Sequence, residues 1–179
     1  MAHLLDTARL RLRTLAQCDA AFYLALVNEP AFIDAIGDRG IRTLAAARRA
    51  IVDGPMAMQR ARGHSLCLVE LKHDGTPVGL CGLIKRDTLP AIDIGYAIMA
   101  HYGGQGYATE AAAGVLAHAA SLGARRVLAI TSAGNAGSNA VLRKIGMRFE
   151  KIVYLAPDDP GTLLHAYDFP PDWGGAAGG

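Results

Sequence analysis

The sequence predicts an α/β chain of the α+β type, with a mixed, mostly antiparallel central sheet flanked by helices on both faces. Three observations predict it. Strand-like runs in the middle of the chain are joined by short turns, as in hairpins, which makes them antiparallel. Later runs alternate with helical segments, which allows one parallel pair linked by a crossover. The composition, 51% hydrophobic and 19% charged with a net charge of +2 over 179 residues, suits one packed core. A single domain is expected over residues 1–169, followed by a Gly-rich tail, 170–179, expected to be disordered.

Taken in order, residues 7–14 alternate, with Leu10 and Leu12 on one side and Arg9, Arg11 and Arg13 on the other, the period of a half-buried strand. Asp19 is placed to cap a helix over 20–28, which Pro30 should end. Residues 32–40 carry two glycines and read as a loop. Thr43 should cap a helix over roughly 44–62, broken or bent near Gly54-Pro55. Residues 64–72 and 77–86 read as strands around the Asp74-Gly75 turn, and 91–99 as a third. A turn rich in glycine at 103–106 leads into an Ala-rich helix that stops at Gly123. A strand over 126–131, a helix from Ser138 to Gly146 and strands over 149–155 and 163–169 complete the series, and Ser138 reads as the cap of its helix.

Several classes are excluded. Low net charge and high apolar content argue against a disordered chain and against one that holds nucleic acid by bulk charge. No run of about 18 apolar residues suggests a membrane span. Three cysteines, Cys18, Cys67 and Cys81, lack CxxC spacing, so neither a disulfide framework nor a zinc site is expected. Cys67 and Cys81 read as core residues. No leader pattern opens the sequence, and a cytoplasmic location is the expectation.

The chemistry concentrates where a strand feeds a turn with three glycines and the turn feeds a helix: Gly103-Gly104-Gln105-Gly106-Tyr107-Ala108-Thr109. A helix start leaves N–H groups unpaired and carries partial positive charge, and glycines let the backbone approach a ligand. Such a turn seats a diphosphate on N–H groups rather than on lysines. A Walker loop is ruled out because no Lys-Ser or Lys-Thr follows. A dinucleotide fingerprint would lack its third small residue at Thr109 and the acid that should end the next strand.

A second segment, NxxSxxVLxKxGM from Asn135 to Met147, lies one strand further on. Together with GYxIxxxYxGxGYATEA, it resembles the acyl-CoA-dependent N-acyltransferases of the GNAT superfamily. The opening TARLRLRTL and the stretch FIDAIGDRGIRTLAAARRAI resemble the branch that includes ribosomal-protein N-acetyltransferases. The likeness runs in order over residues 7–169. It implies a sheet splayed at the parallel strand pair and direct transfer of an acetyl group from acetyl-CoA to a primary amine. The amine would be a protein N-terminal α-amine or a small-molecule amine, and the chain would need no metal. It also implies that Ile98 and Met99 meet the pantetheine arm, that Gly103, Gly104, Gln105, Gly106, Tyr107, Ala108 and Thr109 bind the diphosphate, and that Asn135 meets the arm as well. Ser138 is the hydroxyl implied to help the leaving thiolate. A homodimer is the family expectation.

The pattern departs from the family twice: Gly103 stands where an Arg or Gln is usual, and Leu142 where many relatives carry a Tyr acid. Candidate bases are Asp93, on the strand before the loop with Ile92 and Ile94 opposite, and Glu29, where the first helix ends. Their simpler readings are a solvent-facing strand residue and an exposed loop charge. Glu110 reads first as an acid complementing its helix dipole. Asp38 and Arg39 are candidates for a pair, or for substrate contact, in the loop over the acceptor side. The rival readings are a non-catalytic acyl-CoA-binding sensor and a nucleotide-binding oxidoreductase.

Overall fold

A computed structural model describes residues 1–170; the tail expectation for 171–179 lies outside the described residues. One eight-stranded sheet carries the fold. In chain order its strands are β1 (His3–Asp6), β2 (Leu10–Thr14), β3 (Leu66–Leu71), β4 (Pro77–Ile84), β5 (Asp93–Ile98), β6 (Arg126–Ser132), β7 (Arg148–Val153) and β8 (Thr162–Asp168). Their spatial order is β1-β2-β3-β4-β5-β6-β8-β7. Every neighbouring pair is antiparallel except β5 and β6. The helices are α1 (Ala20–Val27), α2 (Pro30–Ile36), α3 (Leu44–Ile51), α4 (Ala57–Arg62), α5 (Tyr107–Ser121) and α6 (Ala136–Lys144).

Strand alternation sends side chains to two faces. On one, Leu10, Leu12, Cys67, Val69, Cys81, Leu83 and Ile94 pack against Ala111, Ala112, Val115 and Ala119 of α5 and Leu142 of α6. The alanines let α5 lie close to the sheet. On the other, Leu68 and Leu80 meet Leu26 of α1 and Ala47 and Ile51 of α3. Val127 and Ala129 face α5, so Leu128 points away from it and joins Leu89, Leu164 and Ala166 at the far end of that second face. Helices thus cover both faces, and Cys67 and Cys81 are core residues.

Three local expectations are corrected. β1 was not foreseen: it is four residues long, lies at the sheet edge and slips register between His3 and Leu5, too little for a period to show. Part of the segment read as a loop is α2; Pro30 ends α1 as expected but also occupies the first turn of α2, where a missing N–H is harmless. Asp19 precedes α1 without capping it, because its carboxylate accepts instead from the Arg13 guanidinium and the Ala16 N–H. The bend expected at Gly54-Pro55 is a π-helical stretch, Val52–Met56, between α3 and α4.

The feature that positions the site is the β5–β6 junction. Its register consists of one pairing, Asp93 with Leu128, and the Leu128 N–H donates to the Ile92 carbonyl at 2.9 Å. Beyond it, β5 stays with β4 as far as Ile98, and β6 stays with β8 as far as Ser132. The two parallel strands therefore diverge, and a wedge opens between them toward the start of α5.

Candidate functional site

The wedge ends at the glycine turn. Gly103 donates to the Ala100 carbonyl at 2.9 Å, and the first helical bond of α5 runs from the Glu110 N–H to the Gly106 carbonyl at 3.0 Å. Among the described residues no acceptor meets the N–H groups of Gly104, Gln105, Gly106, Tyr107, Ala108 or Thr109. Gly104 (φ +75°) and Gly106 (φ +82°) adopt the left-handed conformation that turns the chain with these amides outward. A preformed anion seat is what such a turn provides.

Along the wedge, backbone direction alternates. The Met99 N–H is committed to the Val78 carbonyl and the Met99 carbonyl accepts from Tyr102, both at 2.9 Å. In an antiparallel ladder with that phase, the peptide groups of Tyr96 and Ile98 face away from β4, into the wedge. The Ile98 peptide groups are therefore open to the wedge, whereas Met99 has both its peptide groups engaged.

Ser138 stands over this strand. Its hydroxyl lies 2.9 Å from the Tyr96 phenol, which also donates to the Ser138 carbonyl at 3.2 Å. Burial pushes the Tyr96 phenol up to about 12, partly offset by the Ser138 hydrogen bond. The capping expectation for Ser138 is corrected: Asn135 is the cap, and its Oδ1 accepts from the Ser138 N–H at 2.9 Å. That bond engages Oδ1, and among the described residues the Asn135 Nδ2 has no hydrogen-bond partner. Leu142 is 1% exposed and belongs to the core under α6, so no polar group could replace it there without loss of packing. Tyr96 was missed as a site residue. Its place on the β5 face shared with Ile94 was legible, but its partner lies 42 positions away.

Asp93 is not solvent-facing. It is fully buried, Oδ2 accepts from Arg86 Nε at 2.9 Å, and Oδ1 has no partner. Burial raises its pKa, and the Arg86 charge and hydrogen bond only partly counter this. Its register with Leu128 puts it on the face opposite Tyr96 and Ser138, with Gly95 and Ala97 following on the same side. Glu29 lies at the α1–α2 junction, and its Oε2 accepts from the Ala100 N–H at 2.9 Å, just past β5. The three catalytic candidates thus line one strand but do not converge: Asp93 at its start, Ser138 above its middle and Glu29 beyond its end.

Other expectations sort simply. Asp38 pairs with Arg42 at 2.5 Å rather than with Arg39. Glu110 joins α5 to the β1–β2 turn, accepting from the Thr7 hydroxyl and from the Arg9 N–H and Nε. Burial would raise its pKa, but these donors hold it below the ordinary value.

The splayed mixed sheet and the glycine turn at the mouth of its wedge set the frame for the comparisons with known proteins. Residues 9–148 match the acetyltransferase (GNAT) domain family, and the chain belongs to it. It is an acyl-CoA-dependent N-acetyltransferase by class. An acetyltransferase from Agrobacterium tumefaciens str. C58 is 27% identical with a TM-score of 0.77, covering 94% of this chain and 95% of that one. RimL, a ribosomal L7/L12 α-N-protein acetyltransferase solved with coenzyme A, shares the fold at a TM-score of 0.79 and 19% identity, over 93% and 98% of the two chains. The uncharacterized protein YkkB of Bacillus subtilis (strain 168) is 28% identical over 158 residues, 83% of this chain and 87% of its own length. No described helix is long and apolar enough to cross a membrane.

Proposed function

We propose that the chain transfers an acetyl group from acetyl-CoA directly to a primary amine, a peptide α-amine or a small-molecule amine of similar basicity. The observation that carries this reading is the wedge: one parallel pairing at Asp93, then two strands parting toward six unpartnered N–H groups. The diphosphate would rest on the amides of residues 104–109, and the pantetheine arm would run along the Tyr96 and Ile98 peptides as a substitute strand. Asn135 Nδ2 would meet it from α6. Proximity supplies most of the rate enhancement.

The amine attacks the thioester carbon in its neutral form, the C–S bond breaks, and the thiolate takes up a proton. Ser138, held by Tyr96, is the hydroxyl this reading sets against the departing sulfur in place of the acid absent at Leu142, a phenol–hydroxyl relay that hydrogen-bonds the thiolate while the proton it takes up is replaced from water. The thiol's ordinary pKa of about 8.5 makes that step undemanding. Asp93 is assigned the proton lost by the amine, reached from the opposite face through water. Its burial makes it a stronger base than an ordinary aspartate. Glu29 is assigned to the mouth of the acceptor cleft, where it fixes the end of β5 through Ala100. An α-amine of pKa about 7.7–8.0 is substantially neutral near pH 7.5, whereas a lysine at about 10.4 carries a deficit of roughly 4 kcal/mol. A buried carboxylate as the assigned base favours the α-amine, the acceptor that needs least deprotonation.

Thiol release from acetyl-CoA, followed across peptides with free N-termini, small amines and Nα-blocked lysine peptides, tests the reading. Turnover with the first two classes and little with the third is expected; coenzyme A binding without turnover on any amine would identify a sensor instead. Ser138→Ala and Tyr96→Phe should each lower kcat about tenfold to a hundredfold with little change in coenzyme A affinity.

A further inference from the structure

Gly103 brings no side chain to the seat, yet a guanidinium stands beside it from the other end of the chain. Arg9, in the β1–β2 turn, donates from Nη1 to the Gln105 carbonyl at 3.0 Å and from Nε to Glu110 at 2.7 Å. Its guanidinium lies 4.5 Å from the centre of the Tyr107 ring. Its backbone N–H and the Thr7 hydroxyl bind the same Glu110 carboxylate, at 2.7 and 2.6 Å. The turn is thus tied, through Arg9 and Glu110, to the edge of the sheet nearly a hundred residues earlier.

A peptide unit is planar and trans, so its C=O and N–H point in opposite directions. Pinning the Gln105 carbonyl toward Arg9 therefore aims the Gly106 N–H away from Arg9, into the seat. Gly106 is the residue least able to hold that orientation by itself, because glycine accepts positive and negative φ about equally. The ideal Cβ position of Gly106 lies 3.5 Å from Arg9 Nη2, so the guanidinium also bounds the space on that side of the turn.

We propose that Arg9 is a positioning residue for the donor's diphosphate, locking the Gln105–Gly106 peptide so that the Gly106 amide faces the anion. The assignment rests on the acetyl-CoA reading given above. It separates donor capture from chemistry: Arg9 acts on the diphosphate and touches neither the thioester nor the amine.

The test compares two donors, acetyl-CoA and S-acetylpantetheine, which carries the thioester without any phosphate. In Arg9→Gln, KM for acetyl-CoA is expected to rise about tenfold or more, with kcat at saturation nearly unchanged. The kcat/KM for S-acetylpantetheine should stay within about twofold of wild type, since no diphosphate is present to lose. Arg9→Lys keeps the charge but cannot hold Glu110 and Gln105 together; it should show the same split and carries the test if Arg9→Gln does not fold. An unchanged KM for acetyl-CoA, or an equal loss with both donors, overturns the role of Arg9. Failure of the acetyl-CoA reading looks different: the wild type itself would then show no preference for acetyl-CoA over S-acetylpantetheine.

Discussion

Gly106 carries two demands that no other residue type meets together. Its backbone is left-handed at φ +82°, and the position a Cβ would take lies 3.5 Å from Arg9 Nη2. Gly106→Val would be strained at that φ and would push against the Arg9 guanidinium, so the Gly106 amide would lose the orientation proposed to meet the diphosphate. Coenzyme A affinity measured by calorimetry should fall at least about a hundredfold, while the fold, read by circular dichroism, persists. Asp93 poses the opposite problem, a carboxylate buried with one oxygen unpartnered, at the expense of stability. Its pKa is raised in the folded state, so the fold binds the proton more tightly than the unfolded chain does. The stability it contributes is fully present below the ordinary aspartate value and declines as pH rises through the folded value. Asp93→Asn should therefore unfold in urea at pH 7 no more easily than wild type, though it lowers kcat. A clear loss of stability at pH 7 would show that the Arg86 pair outweighs desolvation.

At the scale of elements, the chain relies on polar ties where apolar packing is thin. Arg13 on β2 bridges Glu70 on β3 and Asp19 ahead of α1, with N–O distances of 2.8 Å to each. Burial acts to raise the Asp19 pKa, but Arg13 and the Ala16 N–H prevail and hold it below the ordinary value. Asp19→Asn should destabilise the protein by roughly 2–4 kcal/mol at pH 7, by leaving a mostly buried guanidinium short of charge. Because the folded pKa is depressed, the stability Asp19 supplies is present above the ordinary carboxylate value and lost as pH falls through the folded one. Urea titrations at pH 7 and pH 3 should show the difference between variant and wild type narrowing in acid. Element identity was largely legible beforehand, since Leu10 and Leu12, the Asp74-Gly75 turn and the Ala-rich α5 are local signals. Where sequence reading erred, a competing local use existed: Pro30 both stops one helix and starts another, and Asp19 had a better partner than its own helix.

For the whole molecule, the donor site joins parts that are separate in the chain. In the proposed reading, the seat is set by Arg9 and by residues 103–109, the relay by Tyr96 and Ser138, and the acceptor side by α1, α2 and the buried Asp93. A ligand that spans these parts should stabilise all of them together. At coenzyme A concentrations about 100 times Kd, the native state gains about 2.7 kcal/mol, which for a domain of this size raises Tm by about 5–10 °C. A differential scanning measurement with and without coenzyme A checks this, and no shift at millimolar ligand would count against the wedge as its site.

By itself, the sequence determined the class. Strand periodicity, the glycine turn and the asparagine–serine segment are short-range patterns, and backbone amides at a helix start bind anions whatever surrounds them. Only the tertiary structure decided which side chains work together. It buried Asp93 against Arg86, brought the Tyr96 phenol to Ser138, placed Glu29 on the Ala100 amide and laid Arg9 against the turn. Each of these contacts depends on sheet order and on where β5 and β6 part, and long-range pairing of that kind leaves no period in the chain for the eye to find.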